Sequence, residues 1–285
     1  MRSAIREGKA FGMKHLKSSL NDLRRIFAHT ITLRDIAEPL ASFDLGQPTP
    51  EIRSFMAQHG YDVVGLRERG VVTGYVVCAE LMDDKTVGWH RHEFRHDEVL
   101  PDGEPLLSAF EALRERRHVF INVLGQIGGI ITRGDLQKAP VRLWLFGLVS
   151  LLEMQMLRLI RERYPGEAWA GLLTEERVAA ARQIFDKRRE KKEEIDLSDC
   201  LQIVDKAKIF LKDAELLKLT GCPSKQAAEV FFKRVRDLRD ALAHANDIIN
   251  GQWSELGSLI TTLEATLERF EKSILSPAET NNRTE

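Results

Sequence analysis

GIITRGDL, from Gly129 to Leu136, has a counterpart earlier in the chain. GYVVCAEL, from Gly74 to Leu81, matches it in pattern 55 positions upstream, and Phe55 and Phe110 keep the same offset. A fixed internal period means one structural unit made twice. Around each copy the pattern predicts a helix, at Pro50–His59 and at Pro105–Arg116. Two short strands rich in valine and isoleucine follow, and then another helix. Val63–Leu66 with Val71–Val77 form the first strand pair, and His118–Val123 with Ile127–Thr132 the second. Residues 30–140 therefore read as a duplicated βαββα unit.

In the second copy a strand ending at Thr132 leads into a helix start, where free backbone N–H groups favour a phosphate. The same Thr132 and Asp135 also suit a helix cap without any ligand. The whole pattern resembles a tandem pair of cystathionine-β-synthase-type (CBS) domains, with GIITRGDL looking like their signature. That resemblance implies an adenosine nucleotide (AMP, ADP or ATP) as a regulatory ligand. It places Thr132 against phosphate or ribose, has Asp135 accept from the ribose hydroxyls, and lets Arg133 add charge. In the first copy Val77 and Glu80 stand where the hydroxyl and the aspartate belong, so one competent site per pair is expected.

Between the copies, WHRHEFRHDEVLPDG contains a formal H-E-x-x-H at His92-Glu93-Phe94-Arg95-His96. Such histidines bind zinc when they share a buried helix face. This segment is short, charged on both sides and soon stopped by Pro101. His90, His92 and His96 are therefore read as lining a solvated loop, and no metal site is expected.

The second half is helical. Pro140 suits a first helical turn, and Leu145, Leu148, Leu152, Met156, Leu159 and Ile160 recur at helical spacing through Val141–Arg163. Glu153 interrupts this run, as a boundary ion pair or an acidic functional residue. Thr174 starts a helix continuing through the charged run Asp186–Glu194, a solvated face. Asp196 or Ser198 caps another, expected to end near Thr220. Ser224 caps a long helix in which Phe231, Val235, Leu238, Leu242, Ala245 and Ile249 form one apolar stripe. Trp253–Ile274 is the last, giving about five helices over residues 141–275.

Off that stripe, Arg239 and His244 bracket the outer face, with Asp240 between them. Asp240 and His244 are four apart and can meet, so the carboxylate can fix one imidazole tautomer. A fixed guanidinium charge with a histidine that titrates near neutrality suits phosphoryl transfer without a metal. A plain solvated helix face is the alternative, and Arg-x4-His also occurs at Arg24–His29 and Arg91–His96. In its helical setting RDALAHAND, Arg239–Asp247, resembles the active-site helix of the HEPN family (higher eukaryotes and prokaryotes nucleotide-binding). Many members of that family are metal-independent ribonucleases. The resemblance implies an RNA substrate and His244 as base or acid, with Arg239 stabilising phosphate charge. It also implies a homodimer or higher homo-oligomer in which two motifs meet.

The chain of 285 residues is 43% hydrophobic with a net charge of −1. No overall basic field advertises nucleic acid or membrane. Three scattered cysteines fit a reducing compartment. The charged N-terminus lacks a signal-like core, and Leu143–Leu152 is too short for a bilayer. A cytoplasmic protein without a membrane partner is expected. Residues 1–29 carry seven basic and two acidic residues, with Leu16, Leu20, Leu23 and Phe27 at helical spacing. They are read as a basic amphipathic helix, and residues 276–285 as a disordered tail.

The fold class is thus α+β: an N-terminal helix, a tandem CBS-like pair and an all-α HEPN-like bundle. The leading expectation is a nucleotide-regulated, metal-independent endoribonuclease, which by analogy of architecture would suit stress response or phage defence. The alternatives are a non-catalytic regulator binding RNA or protein, and a plain dimeric nucleotide-binding module.

Overall fold

The computed structural model describes residues 21–22, 25–26, 31–244, 246–248 and 253–275. Most of the predicted N-terminal helix and all of the 276–285 tail lie outside the described residues. Residues 21, 22, 25 and 26 are helical.

The duplication is visible in backbone geometry. β3 (Val63–Glu68) pairs antiparallel with β4 (Val71–Val77), and β6 (His118–Val123) with β7 (Gln126–Thr132). Register, bulge and turn all repeat at 55. Val63 faces Val77 as His118 faces Thr132, and the register shifts at Leu66/Arg67 and again at Ile121/Asn122. Both hairpins turn on two residues with positive φ, Arg69-Gly70 and Leu124-Gly125. Such left-handed pairs match the twist of the flanking strands.

Each hairpin gains a parallel strand and a helix. β2 (Ser42–Asp44) lies beside β3 and is followed by α1 (Thr49–His59); β5 (Val99–Pro101) lies beside β6 and is followed by α2 (Leu106–Glu115). Gly60 ends α1 in the left-handed conformation at φ 68°, which costs glycine little. The two units also exchange leading segments. β1 (Glu38–Pro39), which precedes the first unit, pairs with β7 of the second. Reciprocally, His92, which precedes the second unit, bridges to Tyr75 on β4 of the first. Gly74 is required there, since a Cβ would stand 2.5 Å from the His92 carbonyl oxygen. Short strands with open edges gain from such covering.

Two expectations change here. The trailing helix of each unit is only a 3₁₀ turn, Cys78–Glu80 and Arg133–Gln137. In the second unit Lys138 takes an extended conformation and the next helix starts at Ala139 with Pro140 in its first turn, so no room is left for an α-helix. The histidine-rich connection is not simply a solvated loop either. His92 makes an isolated bridge to Tyr75 and its side chain bonds Glu80, and His90 Nε2 lies 2.9 Å from Asp83. Among the described residues no group of three or more His, Cys, Asp or Glu side chains is placed to hold a metal ion.

The helical half comprises α3 (Ala139–Arg163), α4 (Glu175–Glu190), α5 (Ile203–Lys212), α6 (Ala214–Leu219), α7 (Lys225–Ala243) and α8 (Trp253–Leu275). The six predicted apolar positions of α3 are all buried. By length and composition α3 could cross a membrane, and 56% of its most apolar window is buried inside the protein. Glu153 accepts from Lys206 Nζ at 3.1 Å. α4 stops at Glu190, because Lys192 turns the chain with φ 62°, so the charged run is not one helix.

The single helix expected from Asp196 or Ser198 to Thr220 is broken into a 3₁₀ turn, Leu197–Cys200, and α5 and α6. Asp213 makes the second break. It takes φ −102° and ψ 120°, and its carboxylate accepts from the Leu216 N–H at 2.9 Å. α7 begins as expected, with Ser224 accepting from the Ala227 N–H, but it ends at Ala243. The stripe expected to run to Ile249 is therefore cut short; Ala245 and Ile249 lie outside the described residues. Phe231, Val235 and Leu238 are buried and Leu242 half-buried.

The cores do not follow the repeat. Ile52, Met56, Val64, Leu66, Val76, Leu81 and Val87 make a core for the first unit alone. The second unit shares one continuous core with the helices, from Leu33 and Phe110 through Trp144 to Phe270. Phe110 meets Trp144 edge-on at 5.2 Å and stacks on Trp253 at 5.3 Å.

Candidate functional site

Thr132 ends β7 and starts the 3₁₀ turn. Asp135 three residues on accepts from the Thr132 N–H at 2.7 Å and from its hydroxyl at 2.8 Å. This is a cap made by the Asp135 carboxylate reaching back to Thr132, of the kind the sequence allowed. Lys138 Nζ lies 2.9 Å from Asp135 and also bonds Glu38 and the Ile36 carbonyl. Burial lowers the Lys138 pKa, and its bonds to Glu38 and Asp135 outweigh that and raise it. The ammonium therefore stays charged behind the turn.

Thr132 and Asp135 form one wall of a cleft of about 670 Å³ between the two units. Its apolar surface comes from Leu40, Val63, Val77 and Ile130, and Tyr61 stands at the edge. An apolar slot with a few convergent polar groups is the usual form of a small-molecule site. With Lys138 the Asp135 carboxylate takes three bonds, and one acceptor position remains. Arg133 is elsewhere. Its guanidinium donates to the Leu113 carbonyl at 3.0 Å and lies 5.9 Å from the Trp253 ring. The charge expected of Arg133 is spent on the end of α2, because the 3₁₀ turn rotates it away from Thr132.

The cleft also uses residues that the sequence did not single out. His59, Asp62, Arg117 and His118 line it. Gly60 and the RERRH run at Arg114–His118 were their only signals, and a run of charge has no address until strands are paired. Burial holds the His118 pKa below the ordinary 6.5 despite Glu98 and Asp62.

The equivalent place on the other side of the pair is filled. Tyr75 stands where the cleft has Ile130, and Phe94 where it has Pro39; their rings lie 5.5 Å apart. Tyr75 also packs on Phe120 at 4.8 Å and His92 at 5.2 Å. Burial, then Glu98 beside the hydroxyl, raises the Tyr75 pKa. Glu80 is taken by His92.

The second constellation sits at the end of α7. Arg239 Nη1 lies 3.1 Å from Asp240 Oδ1, both half exposed. His244 is the residue after the helix and is exposed, its N–H donating to the Asp240 carbonyl at 3.1 Å. The expected Asp240–His244 side-chain bond is replaced by the Arg239–Asp240 pair. His244 lines a groove of about 920 Å³ between α7 and α8, together with Lys233, Arg234, Asp237, Asp240 and Asp247. Arg239 is not part of its wall, so the structure does not bring Arg239 and His244 into one pocket within a single chain.

Two side chains explain where α7 ends. Arg142 of α3 donates to the carbonyls of Ala241 at 2.8 Å, Leu242 at 3.3 Å and Asn246 at 2.9 Å. A cation at a helix C-terminus satisfies free carbonyls and the helix dipole together. Gln137 accepts from the Ile248 N–H at 3.2 Å and donates to Asp247. The five-residue turn Arg133–Gln137 thus has Asp135 in the cleft and Gln137 on the loop after His244.

No protein-family model matches the chain, and no curated relative is found. Among solved structures it is similar to CBS-domain proteins over about two-fifths of its length. One is the CBS domain of the bacterial CNNM/CorC family Mg2+ transporter in complex with ATP, at 16% identity and a TM-score of 0.34, covering 41% of this chain and 91% of that one. Another is CBSX2 in complex with AMP, at 18% identity and 0.35, covering 39% and 97%. CBSX2 from Arabidopsis thaliana is also similar, at 17% identity and 0.35, covering 39% and 95%.

Proposed function

We propose that an adenine nucleotide in the Thr132–Asp135 cleft controls the helical half, and that the helical half is a metal-independent endoribonuclease. The observation that carries the first part is the turn Arg133–Gln137. It touches the cleft through Asp135, α2 and α8 through Arg133, and the 246–248 segment through Gln137. A ligand that draws on Asp135 must alter the balance of those contacts. Coupling of this kind needs only a difference in ligand affinity between two arrangements of the joint.

For the second part, His244 takes the proton of an RNA 2′-hydroxyl. That oxygen then bonds to phosphorus, the 5′-oxygen leaves with a proton from a second acid, and a 2′,3′-cyclic phosphate remains. Arg239 offsets the charge that develops on the phosphoryl oxygens. Two copies would supply both the second histidine and the missing arginine. Exposed Leu143, Phe146 and Met154 on α3 give two copies an apolar face on which to meet.

The Arg239–Asp240 pair favours a second reading, in which this surface binds RNA or protein without cutting. The deciding experiment is cleavage of end-labelled RNA in EDTA by wild type and His244→Ala, with and without AMP, ADP and ATP. Cyclic phosphate ends that fall at least 100-fold in the variant and shift with one nucleotide support the nuclease. Nucleotide binding with no cutting in any condition supports the regulator.

A further inference from the structure

The ligand cleft carries an unusual charge balance for a nucleotide site. Three carboxylates, Glu38, Asp62 and Asp135, line it, and Arg117 is its one arginine or lysine. Nearby cations are already engaged. Lys138 holds Glu38 and Asp135 from behind, Arg116 holds Asp97, and Arg133 is bound to α2. His59 uses Nδ1 on the Phe55 carbonyl at 2.9 Å and stacks on Phe55 at 4.1 Å. Arg117 is exposed and has no hydrogen-bond or ion-pair partner among the described residues.

We propose that this cleft takes an adenosine ligand bearing a single phosphate in preference to a triphosphate, and that Arg117 is the residue that sets the preference. This rests on the nucleotide reading above and narrows it. One phosphate is met by one free guanidinium, which can bind it by two parallel hydrogen bonds. Each further phosphate brings negative charge to a cleft whose lining holds no second arginine or lysine and includes Asp62. Specificity can come from like charge set against the wrong ligand as well as from a contact made to the right one.

The test is calorimetric titration of the full chain with adenosine, AMP, ADP and ATP in EDTA, for wild type, Arg117→Ala and Asp62→Asn. AMP should bind at least tenfold more tightly than ATP. Arg117→Ala should bring AMP down to the affinity of adenosine and leave adenosine unchanged, and Asp62→Asn should narrow the gap between AMP and ATP. ATP binding as tightly as AMP, or Arg117→Ala weakening adenosine as much as AMP, overturns the proposal and leaves the cleft a nucleotide site. Binding of none of the four removes this proposal together with the nucleotide reading.

Discussion

At the scale of single residues, the site depends on which partners a charged group finds. Asp135 is the clearest case, because the Thr-x-x-Asp spacing already allowed the cap that the structure shows, and the cleft wall adds a second use for the same carboxylate. Arg133 and Asp240 went the other way, each taken by a neighbour that spacing alone did not name. His118 carries a pH consequence. Its pKa is lowered by burial, so as pH falls through about 6.5 the unfolded chain takes up its proton first. Stability should therefore decline below that pH and be unaffected by this group above about 7.5. Urea unfolding at pH 7.5 and 5.5 should show a smaller loss for His118→Gln than for wild type; equal losses would assign the pH dependence to other groups.

At the scale of elements, the joint between the paired units and the helices is short and specific. The 3₁₀ turn Arg133–Gln137 and the start of α3 reach the end of α7 through Gln137 and Arg142. Charge-assisted bonds to free helix carbonyls contribute about 1–3 kcal/mol, so Arg142→Ala should lower stability by about 2 kcal/mol. Gln137→Ala should leave nucleotide affinity within twofold of wild type. In hydrogen exchange, nucleotide should change the protection of the His244, Asn246 and Ile248 amides in wild type. That response should vanish in Gln137→Ala. A response that persists in the variant would mean the signal travels by another element.

At the scale of the whole molecule, cooperative units and repeats do not coincide. The second unit shares its core with the helices while the first unit keeps its own. Phe110→Ala removes a ring that stacks on Trp253 and meets Trp144, a loss of about 3–5 kcal/mol for a buried phenylalanine. Denaturation followed by hydrogen exchange should show β6, β7 and the helices of the C-terminal half loosening together in this variant. Met56→Ala should loosen α1 and β3 first. Separate transitions for β6–β7 and for α3 in Phe110→Ala would show that the shared core is not cooperative.

The amino-acid sequence by itself determined the duplicated strand pairs and the long helices, because those follow from local periodicity, and a period of 55 fixes register twice over. It also marked Thr132 and Asp135, whose three-residue spacing is kept in the turn, whereas the spacing from Asp240 to His244 did not become a side-chain contact. Only the tertiary structure decided that trailing helices shrink to 3₁₀ turns, that α7 stops at Ala243, and that Arg133 turns from the cleft. The turn before α3 is cut short by Lys138 and Pro140 close by, whereas two of those outcomes depend on distant partners, Leu113 for Arg133 and Arg142 for the end of α7. Arg117, His59 and Asp62 were invisible for the same reason: a cleft between two units gathers residues that no spacing along the chain connects.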